Sequence, residues 1–487
     1  MKASPQLIFS DRADLQATLG RAYALALTNL LTINTISDPT QDHNRSGLFL
    51  NPPGTFIRAG GDYQTPWTRD AALNAWSAAS LLSPAVAANT LWAVVTLRDG
   101  QLIVQPDDQW WDQVIWIQAS WNHYLITGDR AWLAPAYATA QETLRERERL
   151  NFNSAYGLFG GPACLADGIS GYPPPLGDRG SGSSFVLDYP DTDKIMVLST
   201  NCVYVGAYRA AENLARALGR PAAEVAEYAI KAVALTAAIN RHLWLPDKST
   251  YAYFLYGSGP QAGQIDRSQE GIGLCYAILF AVADPAAARQ LGAQAHREPQ
   301  GIPCVWPHFS GFSDAQPGRH NNMIWPLLSG LWTHALATLG ATEAMGQEII
   351  TQAQLALREN DFSEIYHAHT GAVDGGWQVG RPWKSCPQQT WSATAYLRSI
   401  QLAMFGLNFS AEGIRFAPHL PERWGRVTIS NLPYRGGLLE LQLTGQGSQI
   451  AALWLNGKKQ NAPFLSAQEL SGNSRIEITL TEQLSGG

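Results

Sequence analysis

The chain has 487 residues, of which 46% are apolar and 15% are charged, and its formal net charge is −6 at pH 7. This composition allows a large buried core, and the length allows two domains or one large domain with an appendage. Because no Lys/Arg run accompanies the negative net charge, the sequence argues against a nucleic-acid groove or an anionic membrane surface as a partner.

The cysteines and the first residues bear on the compartment. The five cysteines are an odd number with wide spacing, which forms neither a disulfide framework nor a CxxC zinc pattern. The opening MKASPQLIFSDRADLQ has no apolar signal region, and no window approaches the eighteen apolar residues of a membrane span. We therefore predict reduced thiols in a cytoplasmic protein without a signal peptide.

Helical periodicity dominates the chain up to about residue 405. The breaks between periodic segments alternate between very short ones and long ones that are rich in Gly, Pro and aromatic residues. This alternation predicts helical hairpins with all their elaboration on one face, and long loops in a compact domain are usually functional. The predicted helices lie near 12–36, 68–83, 84–97, 109–127, 130–149, 195–218, 221–243, 268–282, 284–297, 320–339, 342–358 and 388–405.

Twelve helices in this order predict an (α/α)6 barrel with six inner and six outer helices. A solenoid of helical hairpins is the alternative, although no repeat of fixed period is visible. After about residue 406 the apolar residues alternate instead, as in Leu439, Leu441 and Leu443, with Gly and Asn turns between the runs. We predict a barrel domain over 1–406 and a small β-sandwich domain over 407–487.

Glu364 opens the stretch with the strongest chemical signal, DFSEIYHAHTGAVDGGWQVGRPWKSCPQQTWS. The carboxylate lies near His367 and His369 in a glycine-rich loop that also carries Trp383, and Gln389 stands just before a predicted helix. Tryptophan presents a flat apolar face to a pyranose ring while its indole N–H can donate a hydrogen bond, so this composition suits a sugar. The alternative is that Glu364 is a solvated loop carboxylate.

Two further motifs stand at predicted helix starts. PWTRDAAL places Arg69 and Asp70 in a first helical turn, where they either grip sugar hydroxyls or serve as a capping acid with a neighbouring ion pair. RHNNMIWPLLSGLW places His320 and Asn321 at the start of a predicted inner helix, with Trp325 one turn in. A histidine at a helix start is usually structural, but this pair could instead line the floor of a pocket.

Asp167 lies in GLFGGPACLADGISGYPPP, a long loop of little charge. A carboxyl group among apolar residues has a raised pKa, which suits a general acid at neutral pH. The alternative is an ordinary Asp-Gly turn. The rival carboxylates of the same region are Asp178, Asp188, Asp191 and Asp193.

These motifs together resemble the six-hairpin glycosidases built on an (α/α)6 barrel, the group of glucoamylases, trehalases, processing α-glucosidase I and the glucosidase domain of glycogen-debranching enzymes. PWTRDAAL is similar to their W-x-R-D signature, RHNNMIWP to their Y-H-N/Q-x-x-x-W-P, and FSEIYHAHTG…QQTWSATAYL to their base-bearing segment. The resemblance spans about residues 60–400 with the motifs in the family's order, and a terminal β-sandwich accompanies several members. Neither the paired glutamates of glucoamylases nor the SGWD form of trehalases is present.

The resemblance implies an exo-acting hydrolase that cleaves an α-glycosidic, in particular an α-glucosidic, bond with inversion. Glu364 matches the general base, Arg69 and Asp70 match residues that hold the non-reducing sugar, and Asp167 best matches the general acid. No metal or organic cofactor is implied, and the expected partner is an oligosaccharide or glycoside. The residues expected to frame or contact the sugar are Tyr63, Trp67, Trp325, Trp383, Arg69, Asp70, His320 and Gln389.

Three alternatives stay open from the sequence. A sugar phosphorylase of the same fold would replace the base by a phosphate site, which the presence of Glu364 disfavours. A sugar epimerase or isomerase of the same fold would use histidines as acid and base, for which His320, His367 and His369 are candidates. A non-catalytic sugar-binding protein would follow if Asp167 and Glu364 did not face one another.

Overall fold

The computed structural model describes residues 4–50, 54–107, 109–174 and 182–481. All twelve predicted helical segments are present in these ranges. The α-helices are α1 (Ala13–Leu15), α2 (Arg21–Thr28), α3 (Thr68–Asn74), α4 (Ser80–Leu82), α5 (Pro84–Ala93), α6 (Ile115–Thr127), α7 (Arg130–Asn151), α8 (Leu198–Ala217), α9 (Ala222–Leu243), α10 (Gly271–Leu279), α11 (Pro285–Gln294), α12 (Pro326–Thr338), α13 (Thr342–Arg358) and α14 (Thr390–Arg398). Helical segments with π geometry continue them at Gln16–Gly20, Asn29–Ile33, Ala75–Ala79 and Ser399–Met404.

Six helices form a closed inner ring. Helices α3, α6, α8, α10, α12 and α14 each pack on the next one, and α14 packs back on α3. The alternate helices α2, α5, α7, α9, α11 and α13 pack outside this ring. Because the ring closes, the predicted (α/α)6 barrel is confirmed and the open solenoid is excluded.

Close approach of the inner helices depends on small residues. Where α12 meets α14, a Cβ atom at Gly330 would lie 2.6 Å from the Cβ atom and the carbonyl oxygen of Ala395. No side chain fits at that distance, so the glycine sets how near the two helix axes come. Such dense packing makes the barrel hard to deform, so it can hold the loops at its end in fixed positions relative to one another.

The predicted helix over 320–339 is wrong at its start. Helix α12 begins at Pro326, and Trp325 before it is extended with φ −108° and ψ 113°. Proline disfavours helical backbone at the residue before it while suiting the first helical position, so the helix cannot extend back to His320. Met323 and Ile324 instead form a short strand that pairs with Tyr366 and His367.

The predicted helix over 84–97 also ends early, at Ala93. Residues Val95–Arg98 and Gln101–Val104 form a hairpin instead. Its turn residues Asp99 and Gly100 both have positive φ, 52° and 79°, as a tight two-residue hairpin turn requires. The β-branched residues around Val95 favour the strand over a last helical turn.

Short strands occupy the loops between the helices. They are β2 (Thr35–Asp38), β3 (Gly54–Ile57), β4 (Val95–Arg98), β5 (Gln101–Val104), β6 (Phe152–Asn153), β7 (Leu158–Phe159), β8 (Met196–Val197), β9 (Trp244–Leu245), β10 (Thr250–Tyr251), β11 (Phe254–Leu255), β12 (Ile265–Asp266), β13 (Gln269–Glu270), β14 (Val305–Trp306), β15 (Met323–Ile324), β16 (Tyr366–His367), β17 (Trp377–Gln378) and β18 (Arg381–Pro382).

The region after α14 forms strands, as the alternating pattern predicted, and they join one strand from the start of the chain in two sheets. The strands are β1 (Gln6–Phe9), β19 (Leu407–Phe409), β20 (Gly413–Phe416), β21 (Val427–Tyr434), β22 (Gly437–Gly445), β23 (Gln449–Leu455), β24 (Lys458–Gln460), β25 (Phe464–Ser466) and β26 (Asn473–Thr481). One sheet has the strand order β1-β21-β22-β26-β23-β24, with β22 and β26 parallel, and the other has the order β19-β20-β25. The sequence did not reveal β1, which pairs antiparallel with β21. The division into domains at residue 406 stays a prediction.

The structure also describes the state of the cysteines and the character of the helices, the two features from which the compartment was predicted. All five cysteines are free thiols, in keeping with their spacing. Among the described residues, none of the helices has the length and apolar character needed to cross a bilayer. A cytoplasmic location stays a prediction.

Glu270 is a buried carboxyl group between two inner helices. It lies just before α10 with 2% of its surface exposed. Its Oε2 accepts a hydrogen bond of 2.9 Å from the backbone N–H of Ser199 in the first turn of α8, while its Oε1 has no hydrogen-bond partner among the described residues. Burial raises the pKa of Glu270 to about 8, so the folded protein holds a proton that the unfolded chain releases.

Glu270→Gln should therefore stabilise the protein selectively at alkaline pH. A raised carboxyl pKa contributes stability that is fully present below the ordinary value of 4.5 and is lost as the pH rises to about 8. Relative to the wild type, the variant should gain roughly 3 kcal/mol in free energy of unfolding between pH 5 and pH 9. Urea unfolding at both pH values measures this gain, with the surface change Glu412→Gln as control. An equal difference at both pH values would contradict the argument.

Candidate active site

The predicted acid and base line one cavity of about 570 Å³. Its wall comes from the long loops that lead from an outer helix to the next inner helix, and from the first turns of α3 and α14. The N-termini of α3 and α14 thus lie at the cavity, where the helix dipole favours carboxylates. The described residues that line it are Tyr63, Trp67, Arg69, Asp70, Asp107, Gln109, Trp110, Asp167, Phe185, Leu187, Glu364, Gln389 and Trp391.

Three of the residues expected to contact the sugar lie behind the wall instead. His320 stacks on Trp325 with ring centroids 4.9 Å apart and reaches Asp167 from outside the cavity. Trp325 donates from Nε1 to the carbonyl oxygen of Arg319 at 3.0 Å. Trp383 donates from Nε1 to the carbonyl oxygen of Gln378 at 3.2 Å. Each of these side chains contacts another residue of the site: His320 contacts Asp167, and Trp325 and Trp383 both lie against the guanidinium of Arg319.

Glu364 is held by one of its two carboxylate oxygens. Oε2 accepts 2.7 Å from Nη2 of Arg319 and 3.3 Å from the backbone N–H of Cys386. The Glu364 side chain is 5% exposed. Both of these contacts fall on Oε2 rather than on Oε1.

Arg319 is itself fixed from several directions. Its Nη1 donates to the carbonyl oxygens of Gly375 and Lys384, both at 3.1 Å. The guanidinium carbon lies 5.4 Å from the Trp325 ring and 5.9 Å from the Trp383 ring. In the sequence, Arg319 stands only as the first letter of the RHNNMIWP motif. Nothing local indicates a partner 45 positions away.

Asp167 accepts from two side chains and lies near a third. Nε2 of Gln109 donates at 2.8 Å, Nε2 of His320 lies at 3.1 Å, and Nη2 of Arg69 lies at 3.7 Å. Gly168 makes room for the histidine, because a Cβ atom there would lie 2.3 Å from Nδ1 of His320. The Asp167 side chain is 31% exposed.

The prediction that Asp167 has a raised pKa is wrong. Burial alone would raise it, but the hydrogen bond from His320 and the positive charge of Arg69 outweigh burial and leave the pKa below its usual range. The neighbours in sequence are apolar, whereas the neighbours in space are charged. Asp167 is therefore a carboxylate at neutral pH.

Asp70 is the cavity carboxyl with a near-neutral pKa. It is 2% exposed and accepts 3.3 Å from Nε2 of Gln389. Burial raises the pKa of Asp70 to about 7, against the opposing charge of Arg69. Asp112 also has a pKa raised by burial to about 7 and pairs with Arg69 at 3.2 Å, but it is not among the described residues of the wall.

Two family models match the chain. Residues 182–392 match the mannosylglycerate hydrolase MGH1-like glycoside hydrolase domain, and residues 407–458 match the C-terminal domain of glycosyl hydrolase family 65. Residues 182–392 are thus similar to a glycoside hydrolase domain. The resemblance seen in the motifs is thereby confirmed. No curated protein matches the sequence at a significant level.

Solved structures with low identity share the fold of this chain. A sialidase has 14% identity and a TM-score of 0.68 over 94% of this chain and 40% of its own. A GH78 rhamnosidase of a Bacillus species has 16% identity and a TM-score of 0.56 over 98% of this chain and 44% of its own. The chain thus spans less than half the length of either. The GH63 mannosylglycerate hydrolase of Thermus thermophilus has 17% identity and a TM-score of 0.51 over 77% of this chain and 99% of its own.

The rival carboxylates and histidines lie away from the described wall of the cavity. Asp178 falls outside the described residues. Asp188 accepts from Ser183 at the surface. The other rivals are occupied as well: Asp191 accepts from Ser258 at 2.6 Å, Asp193 pairs with Lys194 at 2.5 Å, and His367 and His369 lie 2.8 Å and 3.4 Å from oxygens of Asp314. This arrangement gives the epimerase alternative no histidine on the described wall.

Several wall residues were missed from the sequence. Trp391 lies in the quoted QQTWS motif and Trp110 in the DDQWWD run. Because each is an aromatic residue beside a helix start, both could have been predicted as residues of the cavity wall. Phe185 and Leu187 carry no such signal. They reach the cavity because the backbone N–H of Val186 donates to the carbonyl oxygen of Asp167 at 2.9 Å.

Proposed function

We propose that the protein is an exo-acting glycosidase that hydrolyses an α-glycosidic, specifically an α-glucosidic, bond with inversion at the anomeric carbon. The observation that carries this proposal is that Asp167 and Glu364, from two separate loops, line one cavity together with Tyr63 and Trp67. Two carboxyl groups beside aromatic rings are what glycoside hydrolysis requires.

Glu364 acts as the general base. Arg319 and the Cys386 backbone hold Oε2, so Oε1 takes the proton from a water molecule that attacks the anomeric carbon. Asp167 acts as the general acid and protonates the leaving oxygen on the opposite side of the sugar. It must first take up a proton, and a bound sugar promotes this by displacing the water that reaches its carboxyl group.

The shape of the cavity suits removal of one sugar at a time. A volume of about 570 Å³ lies in the range of pockets that enclose a small ligand. Asp70 and Gln389 offer polar atoms to sugar hydroxyls, while Tyr63 and Trp67 stand edge to face with ring centroids 6.5 Å apart. We therefore expect release of single sugars from a non-reducing end. Random internal cleavage of a polysaccharide would contradict this.

Proton NMR of fresh product tests the mechanism. An inverting enzyme leaves room for water, with carboxyl groups about 6.5–9.5 Å apart, so an α-linked substrate should yield the β-anomer first. Enzyme must be sufficient to outrun mutarotation. First appearance of the α-anomer would overturn the role of Glu364, and turnover that required phosphate would identify a phosphorylase instead.

A further inference from the structure

A second and much smaller cavity, the rear cavity, lies behind Asp167. Its volume is about 20 Å³, and Ala166 and His320 are among the residues that line it. Nε2 of His320 lies 3.1 Å from Oδ1 of Asp167. Glu270, which precedes α10, lines the same cavity. The rear cavity therefore separates a buried carboxyl group from the histidine that contacts the proposed general acid.

Two polar atoms of the residues around the rear cavity have no hydrogen-bond partner among the described residues. They are Oε1 of Glu270 and Nδ1 of His320, and the two residues are only 2% and 3% exposed. Buried polar atoms in folded proteins are normally paired with another protein group or with an ordered water molecule. A cavity of roughly 10–15 Å³ is enough to hold one water molecule. The rear cavity thus has room for a single water molecule between these two atoms.

Glu270 is a hydrogen-bond donor at neutral pH, because burial raises its pKa to about 8. Its Oε2 accepts from the backbone N–H of Ser199, so the carboxyl proton belongs on Oε1. The titratable groups that Glu270 faces are thiols and phenols, and burial raises the pKa of each, which leaves them uncharged. They are Cys164, Cys202, Cys275, Cys304, Tyr172 and Tyr253.

We infer that one water molecule occupies the rear cavity, accepts a hydrogen bond from Oε1–H of Glu270 and donates one to Nδ1 of His320. Nδ1 then stays an acceptor, so the single proton of the neutral imidazole stays on Nε2, where it bonds Oδ1 of Asp167. Glu270 is therefore a positioning residue that acts on Asp167 through the water and the histidine. The water site stands on the geometry alone, whereas its effect on catalysis rests on the proposed function.

The position of the imidazole proton matters once Asp167 has taken up its own proton. If the imidazole proton were on Nδ1, the lone pair of Nε2 would face Asp167, and the acid would donate to the histidine instead of the leaving oxygen. With the proton on Nε2, His320 donates to Oδ1 of both forms of Asp167. The proton of the acid is then carried by Oδ2, which lies 2.8 Å from Nε2 of Gln109. It stays available for the leaving oxygen.

A high-resolution crystal structure of the wild-type protein tests the water site independently of any reaction. We expect one water molecule within hydrogen-bond distance of both Oε1 of Glu270 and Nδ1 of His320. A rear cavity without a water molecule, or a water molecule that reaches only one of the two atoms, would overturn the inference whatever the enzyme cleaves.

Two substitutions at Glu270 test the positioning role. Glu270→Leu removes the donor at similar volume, whereas Glu270→Gln keeps one, because the amide oxygen must accept from Ser199 and the NH₂ group then faces the water. Glu270→Leu should lower kcat for a natural disaccharide by about tenfold or more. It should spare a dinitrophenyl glycoside, which needs little protonation, and Glu270→Gln should retain the wild-type kcat for both substrates.

The comparison of the two substrates separates positioning from a merely structural role. Equal losses on both substrates in Glu270→Leu, or a Glu270→Leu variant as active as Glu270→Gln, would overturn the positioning role. Cleavage of the dinitrophenyl glycoside also reports that the leucine variant is folded, and the crystallographic test decides if it is not. Hydrolysis of neither substrate by the wild type would count against the proposed function and leave the water site to the crystal structure.

Discussion

Glu364→Gln should lower kcat by about 10³-fold or more, the scale at which a positioned general base contributes. Glutamine keeps the size of the side chain and can still accept from Arg319 and from the Cys386 backbone, so the sugar should bind as before. What is lost is the carboxylate oxygen that takes a proton from water. Steady-state kinetics measures kcat, and calorimetry with an unhydrolysed disaccharide measures binding.

Glu270→Gln is the matched control for this prediction. It makes the same chemical change in a buried carboxyl group that does not line the cavity, so its kcat should stay near that of the wild type. Glu364→Gln also leaves the buried Arg319 with a neutral partner, which lowers stability. Circular dichroism must therefore show that the variant is folded at the assay temperature. A folded variant with more than a tenth of wild-type kcat would refute the role of Glu364.

The sequence was sufficient for the barrel because periodicity is a local property. Each inner and outer helix shows this periodicity within its own residues. The alternation of short and long loops indicates at which face of the barrel the long loops lie. The helix start predicted at His320 was wrong although Pro326 gave a local signal against it, whereas strand Met323–Ile324 could not be predicted because its partners Tyr366 and His367 lie far along the chain. Strand β1 was missed for the same reason, since Gln6–Phe9 pairs with Val427–Ser430 far along the chain.

Long-range contacts limit the prediction of the site from sequence even more than the prediction of the fold. Tyr63, Arg69 and Gln389 could be found because each lies in or beside a motif at a helix start. The contacts that set the chemistry are long-range: Arg319 reaches Glu364 over 45 positions and Gln109 reaches Asp167 over 58. The direction of the pKa of Asp167 depends on such contacts. No inspection of its apolar neighbours in sequence could have predicted it.

Asp167→Asn should lower kcat/KM by about 10²–10⁴-fold for a natural disaccharide, the range typical of a lost general acid. A substrate with a strongly acidic leaving group, such as a dinitrophenyl glycoside, needs little protonation and should lose far less. Kinetics with both substrates gives the ratio of the two losses. Gln109 and His320 bond different oxygens of Asp167, and asparagine keeps only one acceptor oxygen, so the ratio of the two losses, rather than either loss alone, reports the missing proton.

Asp70 is the carboxyl group against which this assignment must be judged, because it lines the same cavity and its pKa is about 7. If Asp70 only binds sugar hydroxyls, Asp70→Asn should slow both substrates by similar factors. The pH profile of kcat/KM separates the two cases further, since it reports groups of the free enzyme. An acid with the pKa of Asp70 gives an alkaline limb near pH 7, whereas the lowered pKa of Asp167 gives a rate that already falls as pH rises from well below neutrality. An alkaline limb near pH 7, together with leaving-group sparing in Asp70→Asn alone, would transfer the role of general acid from Asp167 to Asp70.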